Sequence, residues 1–303
     1  MELSLIRSLM DKEFYDEHRG AKCPDRLFSK DVRKIKQSID KAIERYNRSV
    51  TPDEIEALFM TSYAYELLKD SDRRPTIGLV VLQTDETLEP DIHRYFPPSV
   101  ADVYVSRVPN ASEVNQETLA DMANHIESSA TLLPRSLAFD AVAYCCTSGS
   151  AVIGPEKVSS LMTSGCQAAN VTNPVSALIH MCRKHDVQRL AFLSPYIESV
   201  SNILRDVLTD AGIETCAFGS FNEGDDAKVA RIDPAYTKHA AVELAKSTEV
   251  DAVFMSCTNL KTYDVLAEIE AAAGVPAFSS NSALAAHLGE LAGANAVHPG
   301  RAA

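Results

Sequence analysis

The chain predicts an α/β fold: two pseudo-symmetric domains with parallel sheets, preceded by a helical N-terminal extension. Three observations carry this. From Thr76 onward, apolar runs of strand length alternate with stretches of helical periodicity, and strands separated by helices pair in parallel. Two of the strands recur. Asp140-Ala141-Val142-Ala143-Tyr144-Cys145-Cys146-Thr147 returns as Asp251-Ala252-Val253-Phe254-Met255-Ser256-Cys257-Thr258, 111 residues later, and Ile77-Gly78-Leu79-Val80 returns as Leu190-Ala191-Phe192-Leu193 at an offset of 113. Near-equal offsets mark a duplicated α/β unit. Charge also changes near residue 75. Residues 1–75 hold 15 basic and 15 acidic side chains, whereas the whole net charge of −13 lies in residues 76–303. The expected divisions are 1–75, 76–186 and 187–303, with the last helix able to pack back on the first domain.

The extension reads as helical. Val32, Ile35, Ile39, Ala42, Ile43 and Tyr46 fall three and four apart after Ser29, an N-cap residue. Thr51-Pro52-Asp53-Glu54 opens a second helix with a capping box, and Ile55, Leu58, Phe59, Ser62, Tyr63 and Leu67 form its apolar face. Asp70 to Pro75 is a linker. Strands follow over Thr76–Gln83, Val103–Val108, Asp140–Cys145, Arg189–Ser194, Glu214–Phe218, Asp251–Ser256 and Val275–Phe278. Helices are expected from Glu113 to about Leu133, then over Val158–Cys166, Pro174–His185, Ile197–Ala211, Pro234–Lys246, Thr262–Ala272 and Ala283–Leu291. Asn173-Pro174 is read as a helix start, Asp140 and Asp251 as turn residues, and Glu223-Gly224-Asp225-Asp226 as a solvated loop.

The bulk properties exclude several classes. An acidic body without a basic stripe argues against nucleic acid as a partner. No apolar stretch approaches the roughly 20 residues of a membrane span, and the N-terminus lacks a signal-peptide core, so no membrane contact and a cytoplasmic location are expected. Seven cysteines without scaffold spacing read as reduced thiols. Without Cys-x-x-Cys or His-x-x-x-His pairs, no metal site is predicted.

Ligands of open α/β sheets gather beyond the carboxyl ends of strands. Four segments end there: Gln83-Thr84-Asp85-Glu86-Thr87, Cys146-Thr147-Ser148-Gly149-Ser150, Ser194-Pro195-Tyr196 and Cys257-Thr258-Asn259-Leu260. The repeated Cys-Thr makes Cys146 and Cys257 the catalytic candidates, one thiol from each half. Thr147, Ser148, Tyr196, Thr258, Asn259, Thr84 and Asp85 are the candidate substrate-binding residues, because hydroxyls and loop N–H groups can hold a carboxylate without a basic side chain. Asp85 and Glu86 are read equally well as a solvated loop. Cys145 should face away from Cys146 into the core, and Cys23, Cys166, Cys182 and Cys216 read as small buried hydrophobes.

At these residues the chain resembles the aspartate/glutamate racemase superfamily, and within it the branch of maleate cis–trans isomerases and arylmalonate decarboxylases. The resemblance is carried by Cys146-Thr147-Ser148-Gly149-Ser150, Ser194-Pro195-Tyr196, Ser256-Cys257-Thr258 and Val275-Pro276 with Ser279-Ser280-Asn281-Ser282-Ala283, and spans about Thr76 to Leu291. The segments around Thr84 and Asn259 look most like the racemase-like proteins of ectoine-utilisation clusters. The resemblance implies two flavodoxin-like domains, no cofactor, a small carboxylate or dicarboxylate substrate, and a cysteine from each domain. A homo-oligomer, a dimer, is expected, with the N-terminal helices as a dimerisation or lid element. Decarboxylases of this branch have Gly in place of the first cysteine, so Cys146 favours an isomerase or racemase. Two positions depart from the pattern. Maleate isomerases tend to have Asn where this chain has Asp85 or Glu86, and amino-acid racemases often have His where it has Asn259. The expected activity is therefore a cofactor-independent two-cysteine isomerase, with an arylmalonate-type decarboxylase or a non-catalytic small-molecule binder as alternatives.

Overall fold

The computed structural model of the chain describes residues 8–18, 29–54, 65–67, 69 and 73–298. The chain divides into an N-terminal unit, Met1–Asp70, and a body, Ser71–Ala303. In the first unit the helix Lys30–Tyr46 is capped by Ser29 and buries Ile39, Ala42 and Ile43 together with Met10, Tyr15 and Val50. Tyr46 is not on that face. It is 52% exposed and lies against the Arg45 and Arg48 guanidinium groups. The capping box at Thr51 is present: Glu54 N–H donates to Thr51 Oγ1 at 3.2 Å, and Thr51 N–H donates to the Glu54 carboxylate at 2.9 Å. Most of the second apolar face, Ile55 to Tyr63, lies outside the described residues, as does Cys23. Leu67, placed on that face by periodicity, is outside any helix and exposed.

The body holds two four-stranded parallel sheets of the same order. The first is β2-β1-β3-β4, with β1 Thr76–Leu82, β2 Asp102–Val108, β3 Ala141–Cys145 and β4 Val171–Thr172. The second is β6-β5-β7-β8, with β5 Arg189–Ser194, β6 Glu214–Ser220, β7 Ala252–Met255 and β8 Ala277–Ser279. The sequence repeat is a repeat of register: Ile77 pairs with Ala141 in one sheet, and Leu190 with Ala252 in the other.

Both faces of each sheet are covered, which is why these strands read as unbroken apolar runs. Ala141, Ala143 and Cys145 enter one core cluster, while Val142, Tyr144 and Cys146 enter the other. The strand pleat thus sends Cys145 into a dry core and Cys146 to the opposite face. In each sheet the chain reverses direction of winding between the two central strands, β1 and β3 or β5 and β7. That switch point is where α/β sheets open a crevice. Strand starts are clamped by acids: Asp140 accepts Thr76 N–H at 2.8 Å and a bidentate pair from Arg73, and Asp251 accepts Gln188 and Arg189 N–H groups at 2.9 and 2.8 Å. The final helix, Ser280–Ala292, packs against the helix Pro174–Lys184 and on β1 and β3 of the first sheet. His180 and His287 stack across this contact at 4.4 Å.

Several elements differ from the periodicity. The expected helix from Glu113 is two shorter ones, Gln116–Asp121 and Ala123–Ala130, the first started by a capping box between Asn115 and Thr118. A helix at Leu88–Tyr95 and the two-residue β4 escaped the sequence reading. The stretch after Cys146 is not a loop but the first turn of a helix, Thr147–Ile153. The helix expected from Thr262 starts at Leu266, and the last one starts early because Ser279 and Ser282 form a capping box. Cys182 is buried, but Cys166 and Cys216 are only half-buried.

Candidate active site

Cys146 is the N-cap of the helix Thr147–Ile153, in extended backbone at the end of β3. Its sulfur accepts the Gly149 N–H at 3.2 Å. A side chain at Gly149 would prevent this approach: a Cβ there would lie 2.7 Å from the Tyr144 hydroxyl, 2.8 Å from Met122 Cε and 3.0 Å from the Cys146 sulfur. Cys257 follows β7 with φ of 103°, a left-handed conformation that a non-glycine residue holds only when its surroundings enforce it. Those surroundings are visible. Cys257 N–H donates to Ser280 Oγ at 3.0 Å, and Asn259 N–H donates to the Cys257 sulfur at 3.3 Å. Ser280 Oγ also accepts the Thr147 hydroxyl at 2.8 Å. One serine thus ties the helix after the first cysteine to the backbone of the second.

Cys146 and Cys257, with Thr147, Ser148 and Tyr196, line a single cavity, and Thr258, Asn259 and Asp85 complete its polar wall. Leu82, Val114, Leu119 and Met122 form an apolar wall that the sequence reading did not assign. The cavity is small, about 20 Å³, room for about one water molecule. Thr84 does not reach it. Its hydroxyl donates to Asp226 Oδ2 at 2.5 Å from behind the wall, and it accepts from Asn110 Nδ2 at 2.8 Å.

Asp226 overturns the reading of the acidic run as a solvated loop. It is 4% exposed and lines the cavity. The run is drawn inward because Val114 N–H donates to the Gly224 carbonyl and Asp226 N–H to the Ser112 carbonyl, at 3.1 and 3.2 Å. Asp85 is likewise buried rather than solvated, at 4% exposed. Its Oδ1 accepts the N–H groups of Thr87 and Leu88, both at 2.8 Å, and so caps the helix Leu88–Tyr95. Asn259 is a brace more than an open donor: Oδ1 accepts Glu86 N–H at 2.9 Å and Nδ2 donates to the Asp226 carbonyl at 3.1 Å.

A tyrosine contact separates the two thiols. Tyr196 donates its only proton to Asp226 Oδ1 at 3.0 Å. Its oxygen is 3.1 Å from the Cys257 sulfur, so that contact is made by the Cys257 S–H donating to the phenol oxygen. Cys257 is held as a thiol. Cys146 and Cys257 each accept a backbone N–H, from Gly149 and Asn259, an arrangement that suits a thiolate. Burial pushes the Cys146 thiol up to about 12, against the pull of the Gly149 N–H, with the Asp226 and Asp85 carboxylates adding to the rise. Burial pushes Cys257 up as well, followed by the Asp226 carboxylate. Both are therefore thiols in the unliganded site. Among the described residues no group of three His, Cys, Asp or Glu side chains is placed to hold a metal ion, and no helix is long and apolar enough to cross a membrane.

Behind Thr258, Asn281 Nδ2 donates to the Thr258 carbonyl at 3.0 Å and to Asp91 Oδ2 at 2.9 Å. Burial raises the Asp91 carboxyl to about 6, opposed by the Asn281 amide. The folded value lies above the unfolded one, so the stability tied to the protonated form is present at about pH 4 and lost as pH rises through 6. Asp91→Asn keeps an oxygen for Asn281. It is expected to raise stability by about 3 kcal/mol above pH 7 and to change little at pH 4, as read by urea unfolding at both pH values.

The comparisons with known proteins agree with this architecture. The sequence model of the arylmalonate decarboxylase family matches residues 77–303. The chain is 25% identical over 222 residues to the maleate isomerase of Geobacillus stearothermophilus, covering 67% of this chain and 86% of that one. The crystal structure of the maleate isomerase Iso from Pseudomonas putida S16 superposes with a TM-score of 0.66 at 19% identity, over 72% of this chain and 92% of that one. A liganded double mutant of arylmalonate decarboxylase superposes with a TM-score of 0.66 at 24% identity, over 74% and 96%. The family model covers residues 77–303, well over half of the chain, and by it the chain belongs to the arylmalonate decarboxylase family.

Proposed function

We propose that this chain is a cofactor-independent two-cysteine isomerase of a small carboxylate, with Cys146 as the first base or nucleophile and Cys257 as the opposing acid. The observation that carries the reading is the pair of thiols, from equivalent strand ends, on one cavity, each sulfur accepting a backbone N–H. In racemisation, Cys146 first gives up its thiol proton to solvent as substrate enters, and the thiolate then takes the α-proton and becomes a thiol again. The carbanion then takes the proton of the Cys257 S–H on its other face, leaving a Cys257 thiolate. In cis–trans isomerisation, the Cys146 sulfur adds to the alkene, the single bond rotates, and elimination restores the thiolate.

Either route builds charge on the substrate carboxylate, which preorganised donors must hold. Ser148 is the hydroxyl best suited: it lines the cavity and makes no side-chain hydrogen bond among the described residues. Thr147 has committed its proton to Ser280, so its backbone N–H, in the first helical turn, is the donor it offers. The Thr258 hydroxyl has a long 3.4 Å contact to the Cys145 carbonyl and also faces the Asp85 carboxyl.

The test is incubation in D₂O with amino acids and small dicarboxylates, followed by proton NMR. α-Deuteration reports racemisation, and conversion of maleate to fumarate reports cis–trans isomerisation. The family match supports decarboxylation as the second reading. It would be favoured by CO₂ release from arylmalonates that survives Cys146→Ser. Ligand affinity without turnover, equal in wild type and both Cys→Ser variants, would instead make the chain a binding protein.

A further inference from the structure

We propose that Asn281, oriented by Asp91, is a positioning residue for the second thiol: it holds the peptide whose N–H donates to the Cys257 sulfur. This rests on the two-cysteine reading for the role of Cys257 and adds what sets the direction of that thiol. The Thr258 carbonyl and the Asn259 N–H are the two ends of one planar peptide and point opposite ways. At one end Asn281 Nδ2 donates to the carbonyl at 3.0 Å, and at the other the Asn259 N–H reaches the sulfur at 3.3 Å. A rotation of that peptide that breaks the first bond therefore turns the N–H away from the sulfur. A donor on the carbonyl also polarises the peptide and strengthens its N–H.

The segment needs such support. Cys257 lies at φ 103°, a conformation that a non-glycine residue keeps only while its neighbours hold it. Ser280 pins the peptide before it by accepting the Cys257 N–H, and the Asn259 carbonyl accepts the Thr87 hydroxyl at 2.9 Å. Asn281 supplies the hold between those two points. Its own attachment is narrow. Asn281 is 1% exposed, and its Oδ1 has no hydrogen-bond partner among the described residues. Its Nδ2 serves both Thr258 and Asp91 Oδ2, the latter at 2.9 Å. With the oxygen unheld, Asp91 is what keeps the amide from rotating off the Thr258 carbonyl. Asp91 sits in the helix Leu88–Tyr95, and neither it nor Asn281 lines the cavity. Both therefore act on Cys257 from behind, without touching what the cavity holds.

The experiment is alkylation by iodoacetamide, with the Cys257 to Cys146 ratio read by mass spectrometry. It runs beside kcat and KM for whichever carboxylate the wild type turns over. Asn281→Leu is expected to lower the ratio about tenfold, the scale of one hydrogen bond to a charged sulfur, and to lower kcat by a similar factor with KM little changed. Asp91→Leu should lower the ratio less, because the bond to Thr258 can still form, and it tests the same step where Asn281→Leu fails to fold. Asp91→Asn returns an oxygen to the amide and should restore the ratio. If it does not, the part assigned to Asp91 is overturned. A merely structural role would cost stability without changing one sulfur against the other. An unchanged or raised ratio in Asn281→Leu, or in Asp91→Leu where the first does not fold, overturns the positioning role and leaves the two-cysteine reading standing. A lowered ratio in a protein that turns over no carboxylate keeps the positioning role and removes the two-cysteine reading.

Discussion

Cys146→Ser is expected to lower turnover by about 10⁴-fold, with little change in stability. The hydroxyl is nearly isosteric and can keep the Gly149 N–H, so the helix start is preserved. What is lost is a group that can carry the negative charge: an alcohol is far less acidic than a thiol, and the burial that raises Cys146 would raise an alkoxide further. Cys257→Ser should show a comparable loss for a different reason, since the proton it delivers would then sit on a poorer acid. The two variants are expected to differ in hand. With Cys146 alone, one enantiomer of a substrate exchanges its α-proton with solvent without inverting, and with Cys257 alone, the other does. Proton NMR in D₂O combined with chiral chromatography reads both quantities. Equal, hand-independent loss in the two variants would remove the opposed-face assignment.

Tyr196→Phe is expected to lower kcat by about 10²- to 10³-fold with a smaller change in KM. The phenol connects Asp226 to Cys257, and without its oxygen the S–H loses the acceptor that fixes its direction. The same change leaves Asp226 Oδ1 buried without a donor, so stability should fall by about 1–3 kcal/mol. Burial keeps the phenol itself protonated, with the Cys257 and Asp226 charges adding to the effect, so no phenolate limb is expected in the wild-type pH profile. A stability loss with kcat intact would assign Tyr196 to packing alone.

The strand ends were legible in sequence because central strands covered on both faces have a plain signature, and duplication printed that signature twice. Cys146, Cys257 and Tyr196 could be read on that basis, as could the separation of Cys145 from Cys146 by the pleat. Asp226 could not. Its burial depends on the segment around Gly224 pairing with the segment around Val114, a contact with no local trace, and a run of acids by itself resembles any solvated loop. Thr84 was placed on the cavity because strand-end hydroxyls usually point to ligand, yet here it serves the carboxylate behind. The helix Leu88–Tyr95 went unseen because its cap, Asp85, sits three residues before the first helical residue in a segment that also reads as a turn. Leu119 and Met122 lie in and just after a short helix, where periodicity has little length over which to show itself.

The placement of the helix Ser280–Ala292 on β1 and β3 has a consequence for how the chain is made. During synthesis the first four strands emerge well before the helix that covers part of their sheet. Until it arrives, the apolar side chains of Ile77, Leu79, Ala141 and Ala143 lack part of their cover. The first half therefore cannot reach its final packing in isolation, although domains often fold in order from the ribosome. It must wait for Ser280, whose hydroxyl also joins the two cysteine segments, so completion of the first sheet's cover and assembly of the thiol pair belong to the same late step.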